Sequence, residues 1–196
     1  MDPAEAKGVL GTVEGVQSST RAALKPSWLP YLVFGALTVA SAPMTQVDDG
    51  AANGIYWLVA GPIGLAITWR YYRRHEIAIG ALDRNEFLYA GIVAAMVLGA
   101  IAVGWLASDS FSEAGWALPI GAGILTFGVL ERGVIEVAAG SAVLAFAGAV
   151  IAIDPSEAVL ISALGTGAIL LAAGVASLPR HGTTGTSRSV EPSPAR

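Results

Sequence analysis

The sequence predicts an all-α integral membrane protein, a bundle of six transmembrane helices with both termini in the cytoplasm. Of its 196 residues, 54% are hydrophobic and only 13% are charged, whereas soluble domains carry about 25% charged residues. The apolar stretches approach the roughly 20 residues that a helix needs to cross the hydrocarbon of a bilayer. They also have no polar outer face of the kind that a helix of a soluble protein turns towards water. These observations predict membrane spans.

The basic residues indicate the orientation of the spans. All eleven lysines and arginines fall in segments that an even number of spans places on one side of the membrane: Lys7, Arg21, Lys25, Arg70, Arg73, Arg74, Arg84, Arg132, Arg180, Arg188 and Arg196. The charged residues of the intervening loops are all acidic, namely Asp48, Asp49, Asp109, Glu113, Asp154 and Glu157. Because cytoplasmic loops are enriched in lysine and arginine, we expect both termini to be cytoplasmic, in the inner membrane of a bacterium.

The chain divides into three segments. Residues 1–27 are a cytoplasmic N-terminal segment, in which Asp2 and Pro3 are typical of a helix start. Residues 28–179 form the transmembrane domain, with spans predicted at residues 28–45, 55–69 (or to 72 if the helix is tilted), 87–107, 116–130, 134–153 and 157 or 158–178. Residues 180–196 are rich in glycine, serine, threonine and proline and cannot bury a core, so a disordered cytoplasmic tail is expected.

Prolines lie in or beside three of the spans. Pro62 lies in the second and Pro119 in the fourth. Since proline removes a backbone hydrogen bond and clashes with the preceding turn of a helix, both are predicted to kink their helices. Pro43 follows a signal-like Ala-Ser-Ala sequence and should prevent cleavage there, so the first span is expected to stay in the mature protein.

The longest polar interruption is the sequence RYYRRHEIAIGALDRNE at residues 70–86, which is predicted to be a cytoplasmic loop. Arg70, Arg73 and Arg74 stand beside two tyrosines at the membrane surface, where each basic charge contributes about 1 kcal/mol of attraction to anionic lipid. These arginines are therefore candidates for contact with lipid head groups. Ordinary anchoring of the spans by positive charge is the preferred explanation of the same residues.

Glu136 is the one ionisable residue predicted to lie inside a span. It follows Arg132 by four residues, which places both on one helix face if the fifth helix begins early enough, and Glu131 is adjacent to Arg132. The preferred interpretation is a structural ion pair at the lipid interface, with long side chains that reach water. The alternative is a gate or an ion site, because ionisable groups at membrane depth often mark such paths.

Small residues recur at four-residue spacing in several spans. This spacing lets helix backbones approach closely in lipid, where apolar burial gives no drive between helices. Packing within one bundle is the preferred interpretation, and a homodimer interface is the alternative. The residues concerned are Ala90, Gly91, Ala94, Ala95, Gly99, Ala100 and Gly104 in the third span, Ser141, Ala145 and Ala149 in the fifth, and Ala168, Ala172 and Ala176 in the sixth.

No pattern in the sequence predicts catalysis, a cofactor or a metal site. Cysteine is absent, and His75 and His181 are too far apart in sequence to form a paired-histidine metal motif. Gly121 and Gly123 form a G-x-G pair, but inside a hydrophobic helix and not in a phosphate-binding loop. The net charge of −4 gives no basic surplus of the kind that nucleic-acid binding requires. We expect no enzyme and no nucleic-acid partner.

Two stretches resemble small multi-span bacterial membrane proteins that are often encoded beside a winged-helix transcription regulator. They are LVAGPIGLAITWRYYRRHEIAIG at residues 58–80 and PIGAGILTFGVLERGVIEVAAGSAVLAF at residues 119–146. In that family, as here, a helix with glycine and proline runs into Trp, Tyr and Arg, and a later helix ends in a short Glu-Arg turn. The family has no established activity, so the resemblance implies no catalytic residues. It implies a regulatory or stress-linked role in the membrane.

The sequence as a whole predicts a non-enzymatic multi-pass membrane protein that acts through contacts with protein or lipid, as an accessory or sensory subunit. Its expected partners are membrane lipid, another membrane protein or a second copy of the chain. The alternative is a small transporter or channel, dimeric in form, in which the helices kinked at Pro62 and Pro119 line a path.

Overall fold

A computed structural model describes residues 28–47, 51–79, 86–106 and 109–178, and in these ranges the secondary structure is helical, without strands. A 3-10 helix, Ala42–Gln46, directly follows the first α-helix. The predicted N-terminal segment and C-terminal tail lie outside the described residues. The α-helices are α1 Trp28–Ser41, α2 Ala51–Ile79, α3 Glu86–Leu106, α4 Asp109–Gly115, α5 Ala117–Glu131, α6 Val134–Ile153 and α7 Ala158–Ala176.

Within the described ranges, four segments are long and apolar enough to cross a membrane: Trp28–Gln46, Glu113–Glu131, Val134–Ile153 and Ala158–Ala176. They contain α1, α5, α6 and α7. Within α3, the described residues also include a shorter apolar stretch, Ala90–Gly104. The helix α2 is long, but it is not among the four. Four of the six predicted spans thus have helices of spanning length and composition.

The long helices pack in chain order. In the described part of the chain, α5 packs on α6, α6 on α7, and α7 on α1, so that the first and last helices are neighbours. The helix α2 packs on the outer side of this group against α1, and α3 packs against α5. The pair α2 and α3 is not among the packed pairs. The bundle is therefore an arc that begins at α2 and ends at α3.

Glycine brings the backbones of the inner helices into contact. A Cβ atom on Gly140 would lie 2.5 Å from the backbone nitrogen of Leu125, and one on Gly128 would lie 2.5 Å from that of Val137. The same holds between α1 and α7, where a Cβ on Gly35 would lie 2.9 Å from the backbone nitrogen of Leu171. Since Cβ atoms in proteins essentially never come within 3.0 Å of such neighbours, any side chain here would push the helices apart.

Most of the small residues singled out in the sequence do not pack the bundle, although Gly99 of the third span contacts Pro119 as predicted. Gly91 and Ala95 on α3 are exposed, and so are the stripes on α6 and α7, namely Ser141, Ala145, Ala149, Ala168, Ala172 and Ala176. The preferred interpretation, packing within one bundle, is wrong for these residues. The helices are apolar on every side, so spacing could not tell an inward stripe from an outward one. The homodimer alternative stays a prediction.

Candidate functional site

The aromatic residues near the ends of α1 and α2 form a cluster at one end of the bundle. The ring of Tyr71 meets that of Trp28 edge to face, with centroids 5.8 Å apart, and Tyr72 meets Tyr71 in the same way at 6.0 Å. Tyr31, on the first turn of α1, lies within electrostatic range of Glu136, Tyr72 and Glu131. We call this region, with Trp28, Tyr31, Tyr71, Tyr72 and the turn after α5, the tyrosine end.

The predicted loop at residues 70–86 is helical over much of its length. The helix α2 continues without a break from Ala51 to Ile79, so the loop prediction is wrong for residues 70–79. The reason is local. No glycine or proline occurs between Arg70 and Ile79, and arginine and glutamate are good helix formers. The polarity of this stretch therefore does not indicate irregular structure. Residues 80–85 lie outside the described residues.

Arg70, Arg73 and Arg74 lie on one face of this helical extension, because spacings of three and four residues return to the same side of a helix. All three are exposed, whereas Tyr71 and Tyr72 are half-buried at the tyrosine end. Together with Trp69, the three arginines line an open depression of ≈ 380 Å³. The structure therefore brings all three predicted lipid-contact residues together. We call this surface, formed by Trp69, Arg70, Arg73 and Arg74, the arginine face.

Arg132 lies outside both helices that flank it. The helix α5 ends at Glu131 and α6 begins at Val134. Between them Arg132 has a left-handed backbone, with φ 56° and ψ 33°. Its N–H donates to the carbonyl of Val129 (3.4 Å), and the N–H of Gly133 donates to that of Gly128 (2.9 Å), which is the Schellman closure of a helix end. The predicted pair with Glu136 needed α6 to begin before Arg132, and that condition is not met.

Glu136 occupies the first turn of α6, as its third residue. Its carboxylate folds back over Gly133, where an added Cβ would collide with Oε2 of Glu136. A carboxylate at this point of a helix faces N–H groups without intrahelical partners and the positive end of the helix dipole, which stabilise it. A structural role is favoured by this position. The predicted ion pair and the gate both stay predictions.

The two prolines predicted to kink helices occupy different places. Pro119 is the third residue of α5, and it has no N–H to donate to the carbonyl of Gly115, the residue at which α4 ends. The chain is interrupted at Trp116, whose Nε1–H donates to the carbonyl of Glu113 (3.1 Å). This break therefore lies where a proline removes the helical hydrogen bond. Pro62 lies in the interior of the continuous helix α2, and the kink there stays a prediction.

Four buried hydroxyl residues on α1 and α7 were not singled out from the sequence. They are the buried polar residues of the described part of the chain: Thr38, Ser41, Ser162 and Thr166. Thr38 donates to the carbonyl of Phe34 and Ser41 to that of Thr38, both at 2.7 Å. Ser162 and Thr166 lie one turn apart on α7, are fully buried, and have hydroxyls without a hydrogen-bond partner. Serine and threonine in apolar helices commonly bond their own backbone, so nothing in the sequence distinguishes these four residues.

The opposite end of the bundle gathers the predicted outer loops. Thr45 and Gln46 after α1, Glu113 on α4, and the start of α7 line an open depression of ≈ 350 Å³. We call this region the acidic end, because it holds Glu113 and Glu157. Among the described residues, no group of three or more His, Cys, Asp or Glu side chains is placed to hold a metal ion. Asp48 and Asp49 lie outside the described residues.

No protein-family model matches this chain, and no curated protein or solved structure is significantly similar to it. The resemblance to membrane proteins encoded beside winged-helix regulators therefore stays a prediction. The function has to be argued from the arrangement of the helices and from the surfaces at the two ends of the bundle.

Proposed function

We propose that the chain is a six-span protein of the cytoplasmic membrane that acts through contacts with lipid or with other proteins, as an accessory or sensory subunit, and not as an enzyme. Both termini are cytoplasmic in this proposal. Residues 1–27 and 180–196 are its cytoplasmic segments, and residues 28–179 are its membrane domain. The observation that carries the proposal is that α2 and α3 each run antiparallel along a helix of spanning length.

The helix α2 follows α1 from end to end. The hydroxyl of Tyr56 donates to the carbonyl of Leu37 (2.8 Å), near the far end of α1. Further along, Gly64 lies against the side chains of Leu37 and Phe34. At the tyrosine end, Tyr71 packs on Trp28, the first residue of α1. A helix that accompanies a membrane-spanning neighbour over its whole length crosses the same layer, so this contact series supports a second span.

The helix α3 follows α5 in the same way. Gly99 packs against the ring of Pro119, near the start of α5, and Met96 packs against Gly123 one turn further along. The residue numbers of the contacting pairs rise along α5 and fall along α3, so the two helices are antiparallel. Because α5 belongs to a segment of spanning length, its neighbour is placed to cross beside it. This supports a third span between α2 and α5.

The charges at the two ends support the orientation. The tyrosine end holds Arg132, together with Glu131 and Glu136, and lies beside the arginine face, whereas the acidic end holds Glu113 and Glu157 and, among the described residues, no lysine or arginine. Under the positive-inside rule, the tyrosine end is cytoplasmic. The charged groups that the structure describes thus lie towards the ends of the bundle, while the described polar residues that are classed as buried are serines and threonines. That distribution favours action through end surfaces over passage of a charged substrate through the interior.

The test is purification from native membrane in a mild detergent, with a tag on the C-terminus, followed by mass measurement of everything that co-purifies. The proposal predicts a stoichiometric second protein or tightly retained lipid. It also predicts that Glu136→Gln lowers stability in detergent, because the helix-terminal carboxylate is lost, and changes no flux in liposomes. A bare homo-oligomer whose liposome flux is abolished by Glu136→Gln would contradict the proposal in favour of the transporter or channel.

A further inference from the structure

We infer that the arginine face of α2 binds the phosphate group of an anionic phospholipid whose acyl chain lies along the same side of the helix. This inference rests on the proposed membrane function and deepens it, because it names the class of lipid and the surface that holds it. The argument has three steps, which concern the rigidity of the surface, its chemistry and its continuation into the apolar part of α2.

The arginine face is held in a fixed direction. Its residues lie on a continuous helix and not on a loop, so their relative positions are set by the helix itself. Tyr71 and Tyr72 project from the other side of that helix, where Tyr71 packs on Trp28 and Tyr72 packs on Tyr71. These contacts fix the rotation of α2 about its axis, and the arginines consequently point away from the bundle.

The chemistry of the surface suits a phosphate. Guanidinium groups bind phosphate through paired, charge-assisted hydrogen bonds, and they do so with a fixed planar geometry that lysine lacks. Arg70 and Arg74 are one turn apart, and Arg73 flanks them, so their flexible side chains can converge on one anion in the open depression of ≈ 380 Å³. Trp69 borders the depression, and tryptophan is enriched at the level of lipid head groups.

An apolar track continues from the arginine face along α2, and this favours a lipid over a soluble phosphate. Stepping back from Arg70 by three, four and four residues reaches Ile67, Ile63 and Val59, which lie on the same side of the helix. Their exposed fractions are 47%, 52% and 57%. A ligand with an anionic head and an apolar tail would cover both parts of this surface, whereas inorganic phosphate would use the arginines alone.

The experiment is a lipid titration of the delipidated, detergent-purified full chain, read by native mass spectrometry. Phosphatidylglycerol is the probe, and phosphatidylcholine with the same acyl chains is the zwitterionic comparison. We expect tighter binding of phosphatidylglycerol by roughly tenfold or more, from the added attraction of an anionic lipid to several basic charges. The variant R70Q/R73Q/R74Q should lose this preference. The control R180Q/R188Q/R196Q removes the same number of positive charges from the C-terminal segment and should keep it.

Two further variants separate the parts of the inference. R70K/R73K/R74K keeps the charge but not the guanidinium geometry, and we expect a reduced but measurable preference; it also serves if the glutamine variant does not fold. I63N/I67N should weaken binding of phosphatidylglycerol. Inorganic phosphate should still compete with the lipid head group for the arginines as well as it does in the native chain. Equal binding of the two lipids by the native chain, or equal losses in the C-terminal control and the arginine variant, would overturn the inference. Since binding in detergent does not depend on orientation, such a result would leave the proposed topology standing.

Discussion

The inner helices of the bundle and its two outer helices are held by different means. Between α5 and α6, and between α1 and α7, glycines let backbone meet backbone, as at Gly140 and Gly35. The outer helices α2 and α3 each pack mainly on one long neighbour and expose large apolar side chains, including Leu58 at 77% and Phe87 at 94%. In lipid such exposure costs little, because burying apolar surface gives no drive between helices. Close approach of backbones therefore decides which helices form the core.

The largest effect should come from filling a backbone contact in the core. Gly140→Ala would place a Cβ 2.5 Å from the backbone nitrogen of Leu125, and a backbone cannot move aside as a side-chain tip can. We expect a loss of about 1–3 kcal/mol in the free energy of unfolding, measured by titration with SDS. Gly148→Ala on the same helix is the matched control, because nothing lies within 4 Å of its added Cβ. Equal losses of stability in Gly140→Ala and Gly148→Ala would show that the backbone contact is not the cause.

The buried hydroxyls offer an effect of opposite sign. Thr166→Val keeps the shape of the side chain and removes a fully buried hydroxyl that has no hydrogen-bond partner. An unsatisfied group of this kind costs about 1–3 kcal/mol, so the variant should be more stable in the SDS titration by about 1 kcal/mol. Thr38→Val should instead lose stability, since the hydroxyl of Thr38 is bonded to the carbonyl of Phe34. A marked loss in Thr166→Val would mean that its hydroxyl has a partner.

Glycine at position 132, in the turn between α5 and α6, should make the protein more stable. Arg132 is held at φ 56°, a conformation that costs an L-residue roughly 1–2 kcal/mol and glycine almost nothing. We expect Arg132→Gly to raise the free energy of unfolding by about 1 kcal/mol, somewhat reduced by the greater freedom of glycine in the unfolded chain. Arg132→Ala removes the same charge but keeps the strain, and it should bring no gain. A gain in both variants would assign the effect to the charge.

The outer helix α2 should respond more weakly than the core. A Cβ on Gly64 would approach the side-chain tips of Leu37 and Phe34 at 2.9 Å and 3.2 Å, and these atoms can shift. Gly64→Ala should therefore cost less than about 1 kcal/mol, offset in part by the better helix propensity of alanine. Gly61→Ala, with nothing within 4 Å, should cost nothing. A loss at Gly64 as large as that at Gly140 would show that α2 belongs to the core.

Sequence reasoning located the helices better than it located their faces. The fifth predicted span and α6 share the bounds Val134–Ile153, because Gly133 and Asp154 mark the turns on either side. The helical extension of α2 beyond Trp69 was not predicted, because a polar stretch after an apolar span is also typical of a loop. The packing faces were also missed, because a helix that is apolar all round has no periodicity to indicate its inner side. Gly140 and the exposed Ala145 on α6 look alike in sequence.

The candidate surfaces were partly visible before the structure. Arg70, Arg73 and Arg74 stood out by charge, but their common face depends on α2 being helical beyond Trp69. The surroundings of Glu136 depend on the turn before α6, where the carboxylate lies over Gly133 and Arg132 lies outside both helices. The pair Ser162 and Thr166 became notable only when neighbouring helices buried both hydroxyls.

The most direct test of the six-span account is the side of the membrane on which the connection between α2 and α3 lies. Because the chain has no cysteine, single-cysteine variants can be labelled without background by a membrane-impermeant maleimide. Ala81→Cys lies just after α2, Ser156→Cys in the turn between α6 and α7 serves as the outer reference, and Ser187→Cys in the C-terminal segment as the inner one.

In intact cells the account predicts that Ser156→Cys is labelled, and that Ala81→Cys, like Ser187→Cys, is protected until the membrane is permeabilised. Labelling of Ala81→Cys in intact cells at the rate of Ser156→Cys would contradict it. That result would leave α1, α5, α6 and α7 as the only spans, with α2 and α3 and the arginine face outside the cytoplasm.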